Sequence, residues 1–250
     1  MVQAVSVKKK WYKPLAKLAL RGTVAFFIST ILLTVLFSFI NPNLTMLMVI
    51  KRHQSMLQNT RENIRKDWVS IDNISPQVVL AVCAAEDNKF MEHNGFDWEA
   101  IQKAMKSNKK GKKLKGASTI SQQTAKNLFL WPKRSWFRKG LETYFTFLIE
   151  TCWSKKRIME VYLNVIEFGR GIYGVEKASQ IYFKKPAKQL NRYESALLAT
   201  VLPFPAKRNP SKPSSYMLRY QKTILRNMGN LGTIDLDTAD LPSQVNKKHK

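Results

Sequence analysis

Nineteen consecutive residues, Gly22 to Ile40 (GTVAFFISTILLTVLFSFI), carry no charge. At 1.5 Å per residue, a helix of that length nearly matches a bilayer core of about 30 Å. The stretch is apolar on every side, whereas a helix packed on a soluble core keeps a polar face. Before it stand Lys8, Lys9, Lys10, Lys13, Lys17 and Arg21, with no acidic residue. Positive charge on that flank predicts an N-terminus left in the cytoplasm and a remainder that crosses. A cleaved signal peptide would show a shorter apolar region, about 7–15 residues, and a small-x-small site after it. The following SFINPN offers no such site. The expectation is one uncleaved anchor.

The whole chain, 250 residues, suits one globular domain with appendages. It divides into a basic tail (1–21), the anchor (22–40), a membrane-proximal connector (41–74), a domain (75–231) and a C-terminal tail (232–250). Asn41-Pro42 breaks the helix at the anchor's end. LTMLMVIKRHQSMLQ then reads equally as an interfacial segment or a core helix. From Ser75 the signals are helical. Ser75 and Pro76 suit an N-cap and a first helical position, followed by Val78, Val79, Val82 and Cys83. Phe137, Leu141, Tyr144, Phe145, Leu148 and Cys152 recur at helical spacing, as do Ile158, Val161, Tyr162 and Val165. Asn191 and Glu194 form a capping box. Strand-like alternation is scarce and there are no internal repeats, so the domain is expected to be mostly α.

Lys and Arg number 42 against 17 Asp and Glu, a net charge of +25. Such a chain attracts polyanions: nucleic acid, an anionic membrane surface or a phosphorylated substrate. The tract KSNKKGKKLKG (106–116) reads as a mobile loop, and it interleaves no aromatic residue for base stacking. Asp235, Asp237 and Asp240 lack the spacing of a calcium loop. Cys83 and Cys152 make neither a disulfide framework nor a zinc set. Both read as buried free thiols, with a long-range disulfide as the alternative.

Two polar clusters stand out against this background. AAEDNKFMEHNG gathers Glu86, Asp87 and Glu92 beside Phe90 and His93. GASTISQQTAKN brings together Ser118, Thr119, Gln122, Gln123, Lys126 and Asn127, with Gln122 and Lys126 on one helix face. Arg134, Arg138 and Lys139 follow, then Glu142 inside an apolar helix. By itself, Glu142 reads more readily as an ion-pair partner than as a catalyst.

EDNKFMEHNG resembles the ED-x-x-F-x-x-H-x-G signature of the peptidoglycan glycosyltransferases. GASTISQQTAKN resembles their G-x-S-T-I-x-Q-Q-x-x-K-N segment, RKGLE their R-K-x-x-E, and KKRIMEVYLNVIEFG their K-x-x-I-L-E-x-Y-L-N-x-x-x-x-G. The four occur in family order from Glu86 to Gly169, in helical surroundings that extend the likeness to about Met228. Ala117 stands where Gly is common, and Leu141 where some members carry Lys. The anchored layout resembles the monofunctional biosynthetic transglycosylases of this family. Ser-x-x-Lys occurs at Ser6 and Ser107, without the Lys-Thr-Gly or Ser-x-Asn of a transpeptidase.

The resemblance implies a lysozyme-like helical domain on the outer (periplasmic) face of a bacterial inner membrane. It implies that lipid-linked disaccharide-pentapeptide units (lipid II) are joined into glycan with inversion, releasing undecaprenyl pyrophosphate. Glu86 matches the family's general base, and a carboxylate suits a hydroxyl attacking an anomeric carbon. A pyrophosphate leaving group needs cations and donors rather than a strong acid. Lys126, Arg134, Arg138, Gln122, Gln123 and Ser118 suit that need, with Thr119 and Asn127 in the same segment. Glu142 matches the second glutamate, thought to assist the pyrophosphate side directly or through a divalent cation (Mg or Mn); no other cofactor is implied. Asp87, Phe90, His93 and Gly95 are expected to support the turn, and Glu92 occupies a variable position.

The expected partners are lipid II, the growing glycan chain and membrane lipids, with cell-division or elongation proteins beyond them and no nucleic acid. Three competing readings remain at this level: a membrane-anchored muramidase, a polybasic nucleic-acid binder and a non-catalytic scaffold. The first needs a protonated carboxylic acid for its leaving sugar. The second sits poorly with an anchor and clustered acids.

Overall fold

A computed structural model of the protein describes residues 12–60, 63–109, 116–133 and 135–237. They divide into two compact units that meet at Ile40 and Asn41. The first is a single helix, α1 (Tyr12–Phe39), longer than the expected anchor because it runs back through Lys17 and Arg21. Among the described residues, one helix is long and apolar enough to cross a membrane, over Pro14–Phe39. Its hydroxyls are satisfied within the helix: Thr23 donates to the Ala19 carbonyl at 3.0 Å, Ser29 to Phe26 at 2.9 Å and Ser38 to Val35 at 2.6 Å. Ser and Thr therefore leave no open polar group along the apolar run.

The second unit is mostly helical. The stretch expected as a connector holds α2 (Met46–Leu57), capped by Thr45, whose hydroxyl accepts the Met48 N–H at 3.2 Å. One face of α2, with Leu47, Met48 and Ser55, is buried, while Met46, Val49, Met56 and Leu57 remain exposed. The core-helix reading of this stretch thus holds on one side of α2, and its other side is an exposed apolar face.

Ser75 and Pro76 begin α3 (Pro76–Glu86) at the expected place, with Ser75 accepting the Gln77 N–H at 3.3 Å. Every residue from Val78 to Ala84 is buried, rather than a stripe. The cause is packing on several sides: α9 (Arg192–Ala199) and α10 (Ser215–Leu231) both lie against this helix. Between them in sequence run α4 (Trp98–Lys109), α5 (Ile120–Phe129), α6 (Trp136–Cys152), α7 (Lys155–Val165) and α8 (Val175–Phe183). α5 packs against α6, α7 and α2, and becomes the helix around which the site is built.

Three strands escape the alternation test because they are only two or three residues long: β1 (Arg65–Lys66), β2 (Glu167–Gly169) and β3 (Ile172–Tyr173). They form one sheet in the order β1-β3-β2, with β1 parallel to β3 and β2 antiparallel to it. Asn164 of α7 fixes the incoming chain by accepting the Val69 N–H at 2.9 Å and donating to the Val69 carbonyl at 2.8 Å. Glu160, one turn earlier, accepts the Ile71 N–H at 3.0 Å. The Glu and Asn of the E-x-Y-L-N segment are thereby spent on holding residues 69–71.

Two expected irregular segments differ in part. The basic tract begins as helix, because α4 continues through Lys109; residues 110–115 lie outside the described residues. The tail's 232–237 are irregular, with Asp237 accepting from Lys156 at 3.0 Å, and 238–250 lie outside the description. Both cysteines are free thiols, Cys83 buried and Cys152 partly so.

Candidate active site

Glu86 is the last residue of α3, and Asp87 turns the chain out of it. Asp87 is buried and ties two elements together. Its Oδ2 accepts the Ile120 N–H at 2.9 Å, at the start of α5, and its Oδ1 lies 3.0 Å from His93 Nε2. His93 Nδ1 accepts the Gly95 N–H at 3.1 Å, so that nitrogen carries no proton and Nε2 is the one that donates to Asp87. The ring is clamped on both sides.

Thr119 completes the junction. It caps α5 in a reciprocal box with Gln122, accepting the Gln122 N–H at 3.2 Å while Gln122 Oε1 accepts the Thr119 N–H at 3.0 Å. The Thr119 hydroxyl also donates to the Gly95 carbonyl at 2.7 Å. Lys155 closes the far side, donating to the His93 carbonyl at 2.6 Å and to Glu150 at 2.9 Å, 4.7 Å above the buried Phe90 ring. Asp87, Phe90, His93, Gly95, Thr119 and Gln122 thus act together to dock the start of α5 beside the end of α3. Glu92 lies exposed outside this network.

Glu86 is thereby placed beside α5. Gln123 Nε2 donates to Glu86 Oε2 at 2.8 Å, and the Tyr162 hydroxyl donates to Gln123 Oε1 at 3.2 Å. Burial pushes the Glu86 carboxyl above the ordinary carboxylate range; the Gln123 bond and the Lys126 charge pull the other way. Burial also drives the Tyr162 phenol far up, keeping it a proton-bearing donor that fixes the Gln123 amide.

A second pole forms around Glu142 on α6. Arg138 Nη1 lies 2.9 Å from Glu142 Oε2, and Lys139 Nζ lies 2.5 Å from Oε1. Lys126 belongs to the same field: burial pulls its pKa down, and Glu142 partly restores it. These residues line a cleft of about 530 Å³, with Ser118, Gln122, Gln123 and Asn127 on its walls. A smaller hollow of about 190 Å³ holds Glu86 and Asp87. Ser118 borders both spaces, and Gln123 reaches from the larger one to Glu86. Asn127 Nδ2 and Arg138 Nε are buried and have no hydrogen-bond partner among the described residues. Orphaned donors in a cationic cleft suit a ligand rich in anionic oxygens.

Of the residues singled out from sequence, Glu86, Ser118, Thr119, Gln122, Gln123, Lys126, Asn127, Arg138 and Glu142 line these two spaces. Arg134 lies outside the described residues. The structure adds Lys139 and Tyr162 to the site. The first is visible in the R-K-x-x-E segment, whereas the second is masked by the apolar spacing of its helix. It also adds Lys51 and Glu167, which line the same cleft and pair with one another. Neither belongs to any motif position that marks chemistry.

A divalent cation does not fit the protein's own donors here. Among the described residues no group of three or more His, Cys, Asp or Glu could hold a metal. Both Glu142 oxygens already face a cation, so a second positive centre would meet Arg138, Lys139 and Lys126.

The chain is similar to known proteins over most of its length. The Transglycosylase family model matches residues 53–229. The biosynthetic peptidoglycan transglycosylase of Bdellovibrio bacteriovorus is 52% identical over 219 residues, covering 88% of this chain and 87% of that protein. That of Haemophilus influenzae (strain Rd) is 51% identical over 226 residues, covering 90% and 91%. The Shigella boydii protein of the same name is 58% identical over 175 residues, covering 70% and 72%.

Proposed function

The chain belongs to the transglycosylase family, and from that premise we propose that its cleft joins lipid II units through a base at Glu86 and a cationic diphosphate site around Glu142. It is a peptidoglycan transglycosylase with a lysozyme-like helical domain. Lipid II and the glycan strand are the substrates that the family implies. The observation that carries the division of labour is two unlike carboxylates, both within electrostatic reach of Lys126. Among the described residues, one is hydrogen-bonded through a neutral amide, and the other is surrounded by Arg138, Lys139 and Lys126.

The chemistry follows from these surroundings. The acceptor's sugar hydroxyl forms a bond to the donor's anomeric carbon, on the face opposite the departing diphosphate. Its proton passes to the Glu86 carboxylate. The bond from the anomeric carbon to the diphosphate oxygen breaks, and the electron pair leaves with that oxygen. Lys126, Arg138 and Lys139, with the unpartnered Asn127 amide, meet the added negative charge where it develops. Glu142 keeps Arg138 and Lys139 oriented toward the cleft. Glu86 then returns its proton to solvent.

One observation favours the muramidase alternative: burial raises the Glu86 carboxyl, as a general acid would require. The second pole argues against it. A muramidase needs its other carboxylate free as a nucleophile or water-activating base, whereas Glu142 is held by two cations.

We place the protein in a bacterial cytoplasmic membrane through α1, with the N-terminus cytoplasmic and the domain outside. The basic flank of α1 and the apolar run support this orientation.

The deciding experiment is glycan polymerisation from lipid II by the purified full-length protein. Glu86→Gln should retain lipid II binding and lose at least about 100-fold in kcat, the ordinary scale of general-base catalysis. Normal polymerisation by the variant overturns the base assignment. Release of fragments from finished cell wall without use of lipid II overturns the transferase reading.

A further inference from the structure

Lys51 and Glu167 remain unused by this mechanism although both line the larger cleft. They come from distant parts of the chain, Lys51 from α2 and Glu167 from β2. Leu47 and Lys51 are four residues apart and therefore share a helix face, and both line the cleft. α2 packs on α5, the helix that carries Ser121, Gln122, Gln123 and Lys126. The first helix after the anchor is therefore part of the cleft's wall and supplies it with a cation.

The pair is asymmetric. Glu167 is 8% exposed and sits on a short sheet edge. The Lys51 side chain is 36% exposed on a long flexible stem. An exchangeable cation opposite a fixed carboxylate is a pair that a stronger anion can open. The walls hold Lys51, Lys126, Arg138 and Lys139 against Glu142 and Glu167, so a positive excess remains for an anionic ligand. Glu167 also lessens the repulsion among these cations while the cleft is empty.

We propose that Lys51 is a diphosphate-binding residue, delivered by α2 and held by Glu167 until the ligand's phosphate oxygens displace that carboxylate. The inference rests on the transglycosylase reading above and adds a residue to its leaving-group site. It makes Glu167 a competitor of the diphosphate for Lys51, so the two residues have opposite effects on affinity.

The test uses the full-length protein in detergent, with inorganic pyrophosphate as the probe in titration calorimetry and lipid II polymerisation measured alongside. Lys51→Ala should weaken pyrophosphate binding and lower kcat/KM about tenfold, the scale of one charge-assisted hydrogen bond. Lys51→Arg should retain most of both. Glu167→Gln should tighten pyrophosphate binding several-fold, because it removes the competing anion. Arg52→Ala, on the exposed side of the same helix, should change neither. Weakening by both Lys51→Ala and Glu167→Gln would reduce the pair to a structural brace and overturn the proposal. So would unchanged binding in both, or a wild type that polymerises lipid II without binding pyrophosphate. A wild type that polymerises no lipid II would sink the transglycosylase reading itself, and this inference with it.

Discussion

Glu86 and Glu142 are chemically identical, and their neighbours make them different. Glu86 is half-buried with one amide donor; Glu142 is buried between a guanidinium and an ammonium. A base must be ionised, so activity should rise as pH passes upward through the Glu86 pKa. Burial lifts that pKa above the usual range near 4.3, while Gln123 holds it down. Gln123→Leu removes the lowering bond, so the acid limb of kcat/KM should move to higher pH. The kcat at high pH should fall much less than in Glu86→Gln. A limb that stays in place, or moves down, rejects the hydrogen bond as the control on this carboxyl. On the basic side, Lys126 must stay protonated, and burial lowers its pKa, so activity should decline at lower pH than an ordinary lysine would cause. The acidic island was legible because it is conspicuous in so basic a chain, and the motif likeness singled out Glu86 within it. Tyr162 was not, since its spacing with Ile158 and Val165 is that of any core residue.

At the scale of elements, the site depends on where α5 begins relative to the end of α3, and Gly95 is the hinge of that arrangement. Its φ is +89°, which disfavours any side chain, and an added Cβ would lie 2.8 Å from Thr146 Cγ2 and 3.0 Å from Glu150 Cγ. Gly95→Ala should therefore destabilise the domain by roughly 2–4 kcal/mol, combining left-handed backbone strain with overpacking. Its N–H positions His93 and its carbonyl takes the Thr119 hydroxyl. The variant should consequently lose polymerisation even below its melting temperature. A thermal melt within a degree of wild type would show that the turn relaxes freely. The helix starts at Ser75 and Asn191 were legible because capping is local chemistry. The three strands were not, since two or three residues cannot display a period and the pairing of β1 with β3 joins residues more than 100 positions apart. The helix over 46–57 was visible as an apolar stretch, but its seat on α5 depends on a packing partner some 70 residues away in sequence.

For the molecule as a whole, charge and anchor address the same problem. A net charge of +25 is far more than a cleft needs to hold one diphosphate. An anionic bilayer surface attracts each nearby basic residue by about 1 kcal/mol, and this attraction decays within a Debye length. That length falls from about 10 Å at 0.1 M salt to about 3 Å at 1 M, so exposed charges are screened first. The cations of the larger cleft include Lys126 and Arg138, which are mostly buried and should respond far less. These two populations can be separated with the full-length protein reconstituted in vesicles that differ only in anionic lipid. At 0.1 M salt, anionic vesicles should give a lower KM for lipid II than neutral ones, with similar kcat. Raising the salt should erase that difference while leaving pyrophosphate inhibition largely intact. If both fall together, the excess charge serves the cleft alone. If the neutral and anionic vesicles behave alike at every salt concentration, α1 already does all the holding, and the basic surface has no part in presenting the lipid-linked substrate.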